Sequence, residues 1–345
     1  PVKREVDHAA WVTIQVGCDN SCAFCIVPAV RGPEQSRSFG DIVSEVQRLA
    51  GDGVTEVTLL GQNVNSYGRD LTLAARAAGP DPVESARVGA AWAANPDRRA
   101  RALFGDLLQA VGDVDGIRRV RFTSPHPKDL RDDVIAAMAR VDAVCEHLHL
   151  PLQSGSDVVL AAMHRGYTAE RYLERAVAVR RSVEDLALTT DLIVGFPGET
   201  EADFEATLEL CAEVGFDAAY TFVFSPRPGT EAASMTDRFV DAAVVGARFD
   251  RLRAVIERSA RLRHEARIGR VEEIVVEGPS KKDPSRTSGR TRQNKLVHFV
   301  APRPLRPGTY GTVRVTGAAA YYLSGEFVEV LATPSHRTRI PVHVA

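Results

Sequence analysis

The sequence of 345 residues predicts an α/β protein, in which a partial (βα)6 barrel is followed by a small C-terminal β-barrel. Apolar, β-branched runs alternate six times with stretches of helical period, and this alternation predicts parallel strands joined by right-handed helical crossovers. Six such units are too few to close an eight-stranded barrel. From about Ile268 onward the pattern changes to short strands separated by turn residues, which is typical of a small β-barrel.

Each predicted strand of the first region is followed by a segment with the spacing of an amphipathic helix. In residues 200–216, for example, Thr200 with Asp203 resembles a capping box at the start of the helix. The six predicted strands are residues 11–16, 54–60, 117–124, 147–153, 186–194 and 218–224.

Polar or thiol-bearing segments follow every one of these strands. Because the carboxyl ends of the strands in a βα barrel meet at one mouth, these segments are expected to share a single functional pocket. They are residues 18–25, 61–66, 124–127, 153–156, 195–200 and 225–230.

We expect residues 1–267 to form the first domain and residues 268–345 the second. Residues 70–102 interrupt the second βα unit. They are rich in Ala and broken by Pro and Gly, which predicts a surface insertion of short helices or partly disordered chain. In the second domain the predicted strands lie within residues 271–280, 295–302, 309–319 and 321–331.

Charge is distributed unevenly along the chain. The formal net charge is −2, yet residues 251–345 contain 18 Lys and Arg against 8 Asp and Glu. An acidic body with a basic C-terminal region predicts a polyanionic partner, although solvated surface arginines are a common alternative.

The composition argues against membrane and secreted classes. No apolar run is long enough to span a membrane, and no signal peptide opens the sequence. Five cysteines, an odd number, do not form a disulfide framework, so we expect a cytoplasmic protein. Pro1 is not an initiator Met, and we therefore expect the sequence to be a fragment.

Cys18, Cys22 and Cys25 lie within eight positions, directly after the first predicted strand. Iron–sulfur clusters normally take four thiolates. The next cysteine, Cys145, belongs to a distant strand region, so three thiolates on this loop would leave one iron of a cubane cluster open to an external ligand. An open coordination position predicts chemistry rather than scaffolding.

The alternative is a structural zinc site completed by a distant histidine, such as His126 or His149. Zinc sites usually pair one Cys-x2-Cys with a second matched pair, and the sequence has no such second pair. Cys145 and Cys211 are predicted to be small buried hydrophobic residues rather than ligands.

A Cys-x3-Cys-x2-Cys loop after the first strand of a βα barrel resembles the radical S-adenosylmethionine (radical SAM) superfamily. Within it, five blocks resemble the methylthiotransferases, and most closely the tRNA enzymes that act on isopentenyladenosine beside the anticodon. The resemblance extends from about Ala9 to Val330, apart from residues 70–102. The five blocks are residues 17–38, 59–68, 147–157, 163–168 and 189–204.

The resemblance implies a [4Fe-4S] cluster on Cys18, Cys22 and Cys25, with its free iron chelated by the amino and carboxylate groups of S-adenosylmethionine. Electron transfer from the reduced cluster then breaks the sulfonium bond and gives methionine and a 5′-deoxyadenosyl radical. The implied partners are a tRNA anticodon stem-loop and an electron donor of the flavodoxin or ferredoxin type. We expect a monomer that does not associate with membranes.

Several residues are implied to contact S-adenosylmethionine. Arg165 would pair with the carboxylate, because a guanidinium binds that group bidentately; the alternative is a solvated arginine. Gln62 and Asn63 would bind the methionyl end or the ribose, or else form a polar turn.

Two further pairs are implied on neighbouring loops. Ser154 and Ser156 would bind the ribose or the carboxylate, and a helix N-cap is the alternative. Gly195 and Gly198 would let the backbone approach the adenine, although an ordinary turn between strand and helix explains them equally well.

The C-terminal β-barrel resembles a TRAM domain, a small RNA-binding fold. Basic side chains within residues 281–295 would contact RNA phosphates and would not recognise the base sequence. Aromatic residues would stack on bases, with about half expected to face the core instead. The basic residues are Lys281, Lys282, Arg286, Arg290, Arg292 and Lys295, and the aromatic ones are Phe299, Tyr310, Tyr321 and Tyr322.

The sequence departs from the family in one respect. Methylthiotransferases carry an upstream domain with three further cysteines and a second [4Fe-4S] cluster, which we expect on a domain absent from this sequence. We therefore expect the chain alone to bind one cluster and cleave the cofactor without completing sulfur insertion.

The predicted function is conversion of isopentenyladenosine next to the tRNA anticodon to its 2-methylthio form. The alternatives are methylthiolation of threonylcarbamoyl-adenosine in tRNA or of a ribosomal protein aspartate. A non-catalytic RNA-binding protein with structural zinc is an alternative of a different class.

Overall fold

The computed structural model describes residues 6–78 and 86–335. Its larger part has six parallel strands that pair as β1–β4–β5 and β6–β7–β8, while β2 and β3 form a separate antiparallel ribbon. A parallel bridge between Val120 and Val144 joins the two groups, and this confirms the predicted open barrel. The strands are β1 (Ala9–Thr13), β2 (Gln15–Val16), β3 (Gln35–Ser36), β4 (Glu56–Leu60), β5 (Arg119–Phe122), β6 (His147–His149), β7 (Ala187–Val194) and β8 (Ala218–Val223).

Helices follow the strands, and most of them bury their apolar faces against the sheet in one continuous core. They are α1 (Val27–Arg31), α2 (Phe39–Gly51), α3 (Arg69–Ala78), α4 (Ala90–Ala93), α5 (Phe104–Gly112), α6 (Asp132–Arg140), α7 (Asp157–Ala162), α8 (Ala169–Ser182), α9 (Glu201–Val214), α10 (Glu231–Ser234) and α11 (Ala242–Glu265). In the described residues, no helix has the length and apolar character needed to cross a bilayer.

The start of α9 confirms the predicted capping box. The Asp203 backbone N–H donates to the Thr200 hydroxyl, and the Thr200 backbone N–H donates to the Asp203 carboxylate at 2.9 Å. These two bonds satisfy donors that the first turn of a helix leaves free. Gly215 ends the helix in the left-handed conformation, which glycine adopts without strain.

The predicted surface insertion is better anchored than its composition indicates. It contains the short helices α3 and α4, as expected, but Trp92 on α4 is only 1% exposed and joins the main core. The Trp92 indole donates to the carbonyl of Arg99 at 3.0 Å. One large aromatic side chain can anchor a segment whose many alanines give no apolar period. Residues 79–85 of this insertion lie outside the described residues.

The C-terminal part is a closed five-stranded barrel in the order β10–β11–β13–β12–β9. The change of pattern predicted near Ile268 falls between the end of α11 at Glu265 and the start of β9 at Val271; the domain boundaries themselves stay a prediction. The strands are β9 (Val271–Pro279), β10 (Thr287–Thr291), β11 (Leu296–Val300), β12 (Tyr310–Ala318) and β13 (Leu323–Ala332).

Strand β10 was not predicted, because its sequence TSGRT has no apolar alternation. Its buried positions are Ser288, Gly289 and Thr291. A Cβ at Gly289 would lie 3.0 Å from the side chain of Ile274 on β9, so the neighbouring strand fills the space that β10 leaves in the barrel core.

The C-terminal barrel contacts residues that precede the strands of the first barrel, opposite its mouth. Lys295 pairs with Asp217 at 2.6 Å, and both side chains are at most 6% exposed. Arg292 makes a bidentate contact with Glu146 and also donates to backbone carbonyls. Lys295, which was predicted to bind RNA, is buried between the two barrels instead. Arg292 also joins the barrels, and an RNA contact by this residue stays a prediction. Lys295 has no exposed face with which to contact a phosphate.

Replacement of Lys295 by methionine should destabilise the protein by about 3–5 kcal/mol, since it leaves the Asp217 carboxylate buried without its cation. Urea unfolding followed by tryptophan fluorescence measures this difference. Arg286→Met is the matched control, because Arg286 pairs with Asp283 on the surface and its loss should change stability little. Equal, small changes in the free energy of unfolding for both variants would contradict the structural role of Lys295.

Candidate functional site

The three cysteines lie on a loop of residues 17–34 that the β2–β3 ribbon closes at its base. The Cys18 backbone N–H donates to the carbonyl of Gly32 at 3.2 Å, and the Cys25 backbone N–H donates to the carbonyl of Cys22 at 3.0 Å. All three thiols are free and partly exposed. The loop therefore presents three sulfur donors at the mouth of the first barrel.

Gly17 makes this loop possible. Its φ is 77°, and a Cβ built there would lie 2.0 Å from the carbonyl oxygen of Pro33. Only glycine combines that backbone conformation with so close an approach of a second chain segment. The two ends of the loop are thus held together immediately before Cys18.

Arg165 is buried against the cysteine loop, with only 6% of its surface exposed. Its Nη1 donates to Cys22 Sγ at 3.3 Å, and its Nε donates to the Tyr167 hydroxyl at 3.2 Å. Tyr167 in turn donates to the carbonyl of Leu152 at 2.8 Å, just past β6. The alternative of a solvated arginine is therefore wrong.

Burial raises the pKa of the Cys18 thiol, although the Asn20 amide donates to its sulfur at 3.5 Å and opposes this shift. A metal that binds Cys18 must displace the thiol proton, because the thiolate is the ligand.

Buried acceptors without partners lie after β4 and after β6. Asn63 donates to Asp129 at 2.8 Å, but its own Oδ1 has no partner among residues 6–78 and 86–335. The same holds for Oε1 of Gln62 and of Gln153. Each unpaired buried group costs about 1–3 kcal/mol, so such a set is typical of a site that a polar ligand completes.

His126 adds a polar group that the sequence suggested only as a zinc ligand. Burial lowers its pKa to about 2, with Arg165 and Lys128 adding to the effect. Its Nδ1 accepts from the Lys128 backbone N–H at 3.2 Å, which leaves the proton on Nε2. Within the described part of the chain, Nε2 has no partner. His126 therefore offers a neutral N–H donor beside Arg165.

The three cysteine thiols suit an iron–sulfur cluster better than a single metal ion. Across the described ranges, no three His, Cys, Asp or Glu side chains lie close enough to hold a single metal ion. Three free, partly buried thiols on one loop are instead the donor type of an iron–sulfur cluster. Cys145 and Cys211 are fully buried apart from this loop, as predicted.

Ser154 and Ser156 use their hydroxyl groups inside the protein. Ser154 lies 3.3 Å from the Thr207 hydroxyl, while Ser156 caps α7 by accepting from the Val159 backbone N–H. Ser156 also donates to Asp203. The N-cap alternative is thus confirmed for Ser156, and a cofactor contact of either serine stays a prediction.

Gly195 and Gly198 have positive φ values of 76° and 83° in the turn after β7. Added Cβ atoms would lie 2.5 Å from Val245 and 2.3 Å from Arg238, respectively. The space beside both glycines is therefore filled by the protein itself. This supports the turn alternative, and an adenine contact stays a prediction.

Glu34 is a partly buried acid that the sequence did not single out. It accepts from the Ser66 hydroxyl at 2.7 Å, and Ser66 accepts from Gln15 at 3.2 Å. Burial raises the pKa of Glu34 to about 7, although the Ser66 hydrogen bond opposes the shift. The sequence feature that could have pointed to Glu34 is its position within residues 17–38, one of the five blocks that resemble the methylthiotransferases.

The six basic residues predicted to bind RNA fall into two groups. Lys281, Lys282 and Arg286 line a surface groove of about 860 Å³. Arg290 borders this groove but pairs with Glu277 at 2.7 Å, while Arg292 and Lys295 make the contacts between barrels described above. The three residues of the first group are exposed in the groove, where they are placed to meet a polyanion.

Of the four aromatic residues, only Phe299 lies in the core of the C-terminal barrel. Tyr310 is buried against the first barrel, where its hydroxyl donates to the Thr55 hydroxyl at 3.2 Å. Tyr321 is 70% exposed, and Tyr322 lies beside it in the groove.

Gly17→Ala should lower the iron content of the reconstituted protein severalfold while the fold is retained, because a Cβ there forces Pro33 and Cys18 apart. Iron analysis with far-ultraviolet circular dichroism measures both properties. Gly116→Ala is the control, since Gly116 also has positive φ but a Cβ there would meet only Ala50, at 3.6 Å. Unchanged iron content in Gly17→Ala would contradict the role of this glycine.

Known relatives confirm the predicted resemblance. The chain is 50% identical to a protein of Acidothermus cellulolyticus over 95% of its length, 50% identical to one of Mycobacterium bovis over 94%, and 48% identical to one of Streptomyces avermitilis over 94%. All three are named tRNA-2-methylthio-N(6)-dimethylallyladenosine synthase. The chain spans 61%, 60% and 59% of their respective lengths.

A solved radical S-adenosylmethionine methyltransferase from Kitasatospora setae is more distant, at 15% identity and a TM-score of 0.47 over 65% of this chain and 38% of that chain. Residues 12–211 match the profile of the Radical SAM superfamily. These residues make up more than half of the chain and include Cys18, Cys22 and Cys25, so the protein belongs to the radical SAM superfamily.

Proposed function

We propose that this protein is a tRNA methylthiotransferase that converts N6-dimethylallyladenosine next to the anticodon to its 2-methylthio form. The observation that carries the proposal is the sequence identity of 48–50% with relatives of that name, which extends over 94–95% of the chain. The identity covers both the cysteine loop and the basic groove of the C-terminal barrel.

In this proposal Cys18, Cys22 and Cys25 would hold a [4Fe-4S] cluster. When bound beside S-adenosylmethionine, such a cluster would supply the electron for reductive cleavage of the cofactor's sulfonium bond. The free thiols at the barrel mouth support this ligand set, and the contact of Arg165 with Cys22 places a fixed cation next to it.

The chain's own residues bind and orient the cofactor. Arg165 is held rigid by Tyr167, so its guanidinium can pair with a carboxylate at little further cost in side-chain entropy. Gln62, Asn63 and Gln153 offer buried acceptors to the donors of the amino group and ribose. His126 offers an N–H donor. Ser154, Ser156, Gly195 and Gly198 contribute by shaping the loops around these groups.

The C-terminal barrel is proposed to act as a TRAM domain that binds the anticodon stem-loop. Lys281, Lys282 and Arg286 would neutralise phosphates, and Tyr321 and Tyr322 would stack on unpaired bases. We also propose a monomer that acts in the cytoplasm, where tRNA is modified, with an electron donor of the flavodoxin or ferredoxin type.

The chain spans about three fifths of its relatives' length, so the complete reaction is a proposal for the whole protein. The second [4Fe-4S] cluster that the resemblance implies requires three further cysteines. This chain offers only Cys145 and Cys211, which are buried on separate elements. We therefore expect about four irons per chain.

Cys22→Ala should abolish most iron binding and the brown colour of the anaerobically reconstituted chain, because a cubane cluster depends on each of its thiolates. Cys145→Ser and Cys211→Ser are the controls and should keep the wild-type iron content. About eight irons per chain in the wild type would contradict a single cluster. A zinc-containing, colourless protein would support the non-catalytic alternative.

Loss of the full-length gene should remove the methylthio mark from tRNA and leave N6-dimethylallyladenosine to accumulate. Nucleoside mass spectrometry of total tRNA measures both. Loss of the mark from threonylcarbamoyl-adenosine instead would assign that substrate. An unchanged tRNA profile would exclude the proposed function and favour the ribosomal protein aspartate.

A further inference from the structure

A cavity of about 580 Å³ lies inside the open barrel, bounded on one side by the C-terminal domain. Its volume is in the range that holds a small organic ligand, such as a modified nucleoside. Arg290, Leu296 and Tyr321 border both this cavity and the basic groove of about 860 Å³. The proposed RNA-binding groove and the barrel interior are therefore neighbouring parts of one surface.

The wall of the cavity that β8 forms is aromatic, because Tyr220 and Phe222 project from the same face of this strand. Phe122 on β5 also lines the cavity. Tyr220 and Phe222 are 66% and 52% exposed, because β8 is the edge strand of a barrel that does not close. Exposed aromatic side chains inside a concave site are suited to contact a base or an apolar substituent.

The wall next to β8 carries a chain of hydrogen bonds on β6 and β7. The Thr189 hydroxyl lies 3.3 Å from Nε2 of His147 and 3.0 Å from Nδ1 of His149. Nε2 of His149 lies 3.3 Å from Oδ2 of Asp191. The other carboxylate oxygen of Asp191 has no hydrogen-bond partner within residues 6–78 and 86–335 and is available to a ligand.

The charges that face this cavity are otherwise compensated. Lys295 is paired with Asp217, and Arg290 with Glu277. Burial lowers the pKa of His147, and it lowers the pKa of His264 to about 4, so both rings are neutral at pH 7. Among the described residues that line the cavity, no cation is left unpaired to receive an anionic ligand.

We propose that Asp191 determines which modified purine the cavity accepts. Its carboxylate accepts a hydrogen bond from the exocyclic N–H of an uncharged N6-substituted adenine, while the aromatic wall receives the apolar substituent. The same carboxylate repels an adenine whose substituent carries a carboxylate of its own. This inference rests on the proposed function and deepens it, because it separates dimethylallyladenosine from threonylcarbamoyl-adenosine.

The test compares anticodon stem-loop RNAs that carry either dimethylallyladenosine or threonylcarbamoyl-adenosine. Binding by the reconstituted full-length protein is measured by fluorescence anisotropy, and methylthio product by nucleoside mass spectrometry. The wild type should bind the dimethylallyl RNA at least about tenfold more tightly, since like charges placed together disfavour the wrong ligand. Equal affinity of the wild type for both RNAs would overturn the proposal without any variant.

Two variants separate the two roles of Asp191. Asp191→Asn keeps an acceptor oxygen but removes the charge. The ratio of the affinities for the two RNAs should therefore shrink about tenfold, while the affinity for the dimethylallyl RNA changes little. Asp191→Ala should also lower the affinity for the dimethylallyl RNA, by about five- to tenfold, because the hydrogen-bond acceptor is lost. Iron content and circular dichroism equal to the wild type establish that both variants are folded.

Asp115→Asn is the matched control, because Asp115 is exposed on the loop before β5, and it should retain the wild-type preference. A wild-type preference retained in Asp191→Asn would overturn this inference while the proposed function stands. A wild type that forms no methylthio product from either RNA would instead overturn the proposed function, and this inference with it.

Discussion

The contact between Arg165 and Cys22 is the interaction on which the rest of the site depends. Arg165 is held by Tyr167, which is tied to the backbone just past β6, so the guanidinium connects the middle of the barrel to the cysteine loop. A buried arginine with a fixed position is a costly element to maintain. Its position beside a sulfur ligand is explained if it also meets the anionic end of a bound cofactor.

The cysteine loop and the C-terminal barrel lie at opposite ends of the first domain. The cysteine loop lies at the carboxyl ends of the strands, where βα barrels carry their chemistry. The C-terminal barrel contacts the opposite end through buried ion pairs, which include Lys295 with Asp217 and Arg119 with Glu273. The cavity inside the first barrel is bounded on one side by the C-terminal barrel, and exposed side chains of β8 line it at the open edge.

Much of this architecture follows from sequence because its signals are local. Most of the six main strands contain β-branched residues, and the capping box of α9 is a contact three residues apart, so pattern and structure agree there. The predicted strand 11–16 is divided between β1 and β2, and β6 ends at His149 instead of residue 153. The cysteine loop was predictable for the same reason. Cys145 and Cys211 were also placed correctly, since small apolar residues within strand and helix patterns are usually buried.

Other features depend on which segments meet in three dimensions, and sequence alone does not reveal that. Lys295 lies in a basic run, yet Asp217, which is 78 residues earlier, pairs with it in the interior. Gly195 and Gly198 match a motif, but Val245 and Arg238 fill the space beside them. Strand β10 lacks an apolar pattern because Ile274 on its neighbour fills the core in its place.

The most direct test of the central claim is electron–nuclear double resonance on the reduced protein with isotopically labelled S-adenosylmethionine. If the three-thiol loop leaves one iron open beside Arg165, labels in the amino and carboxylate groups should both couple to the cluster spin. Absence of coupling from either label, in protein that carries the cluster and binds the cofactor, would contradict the account.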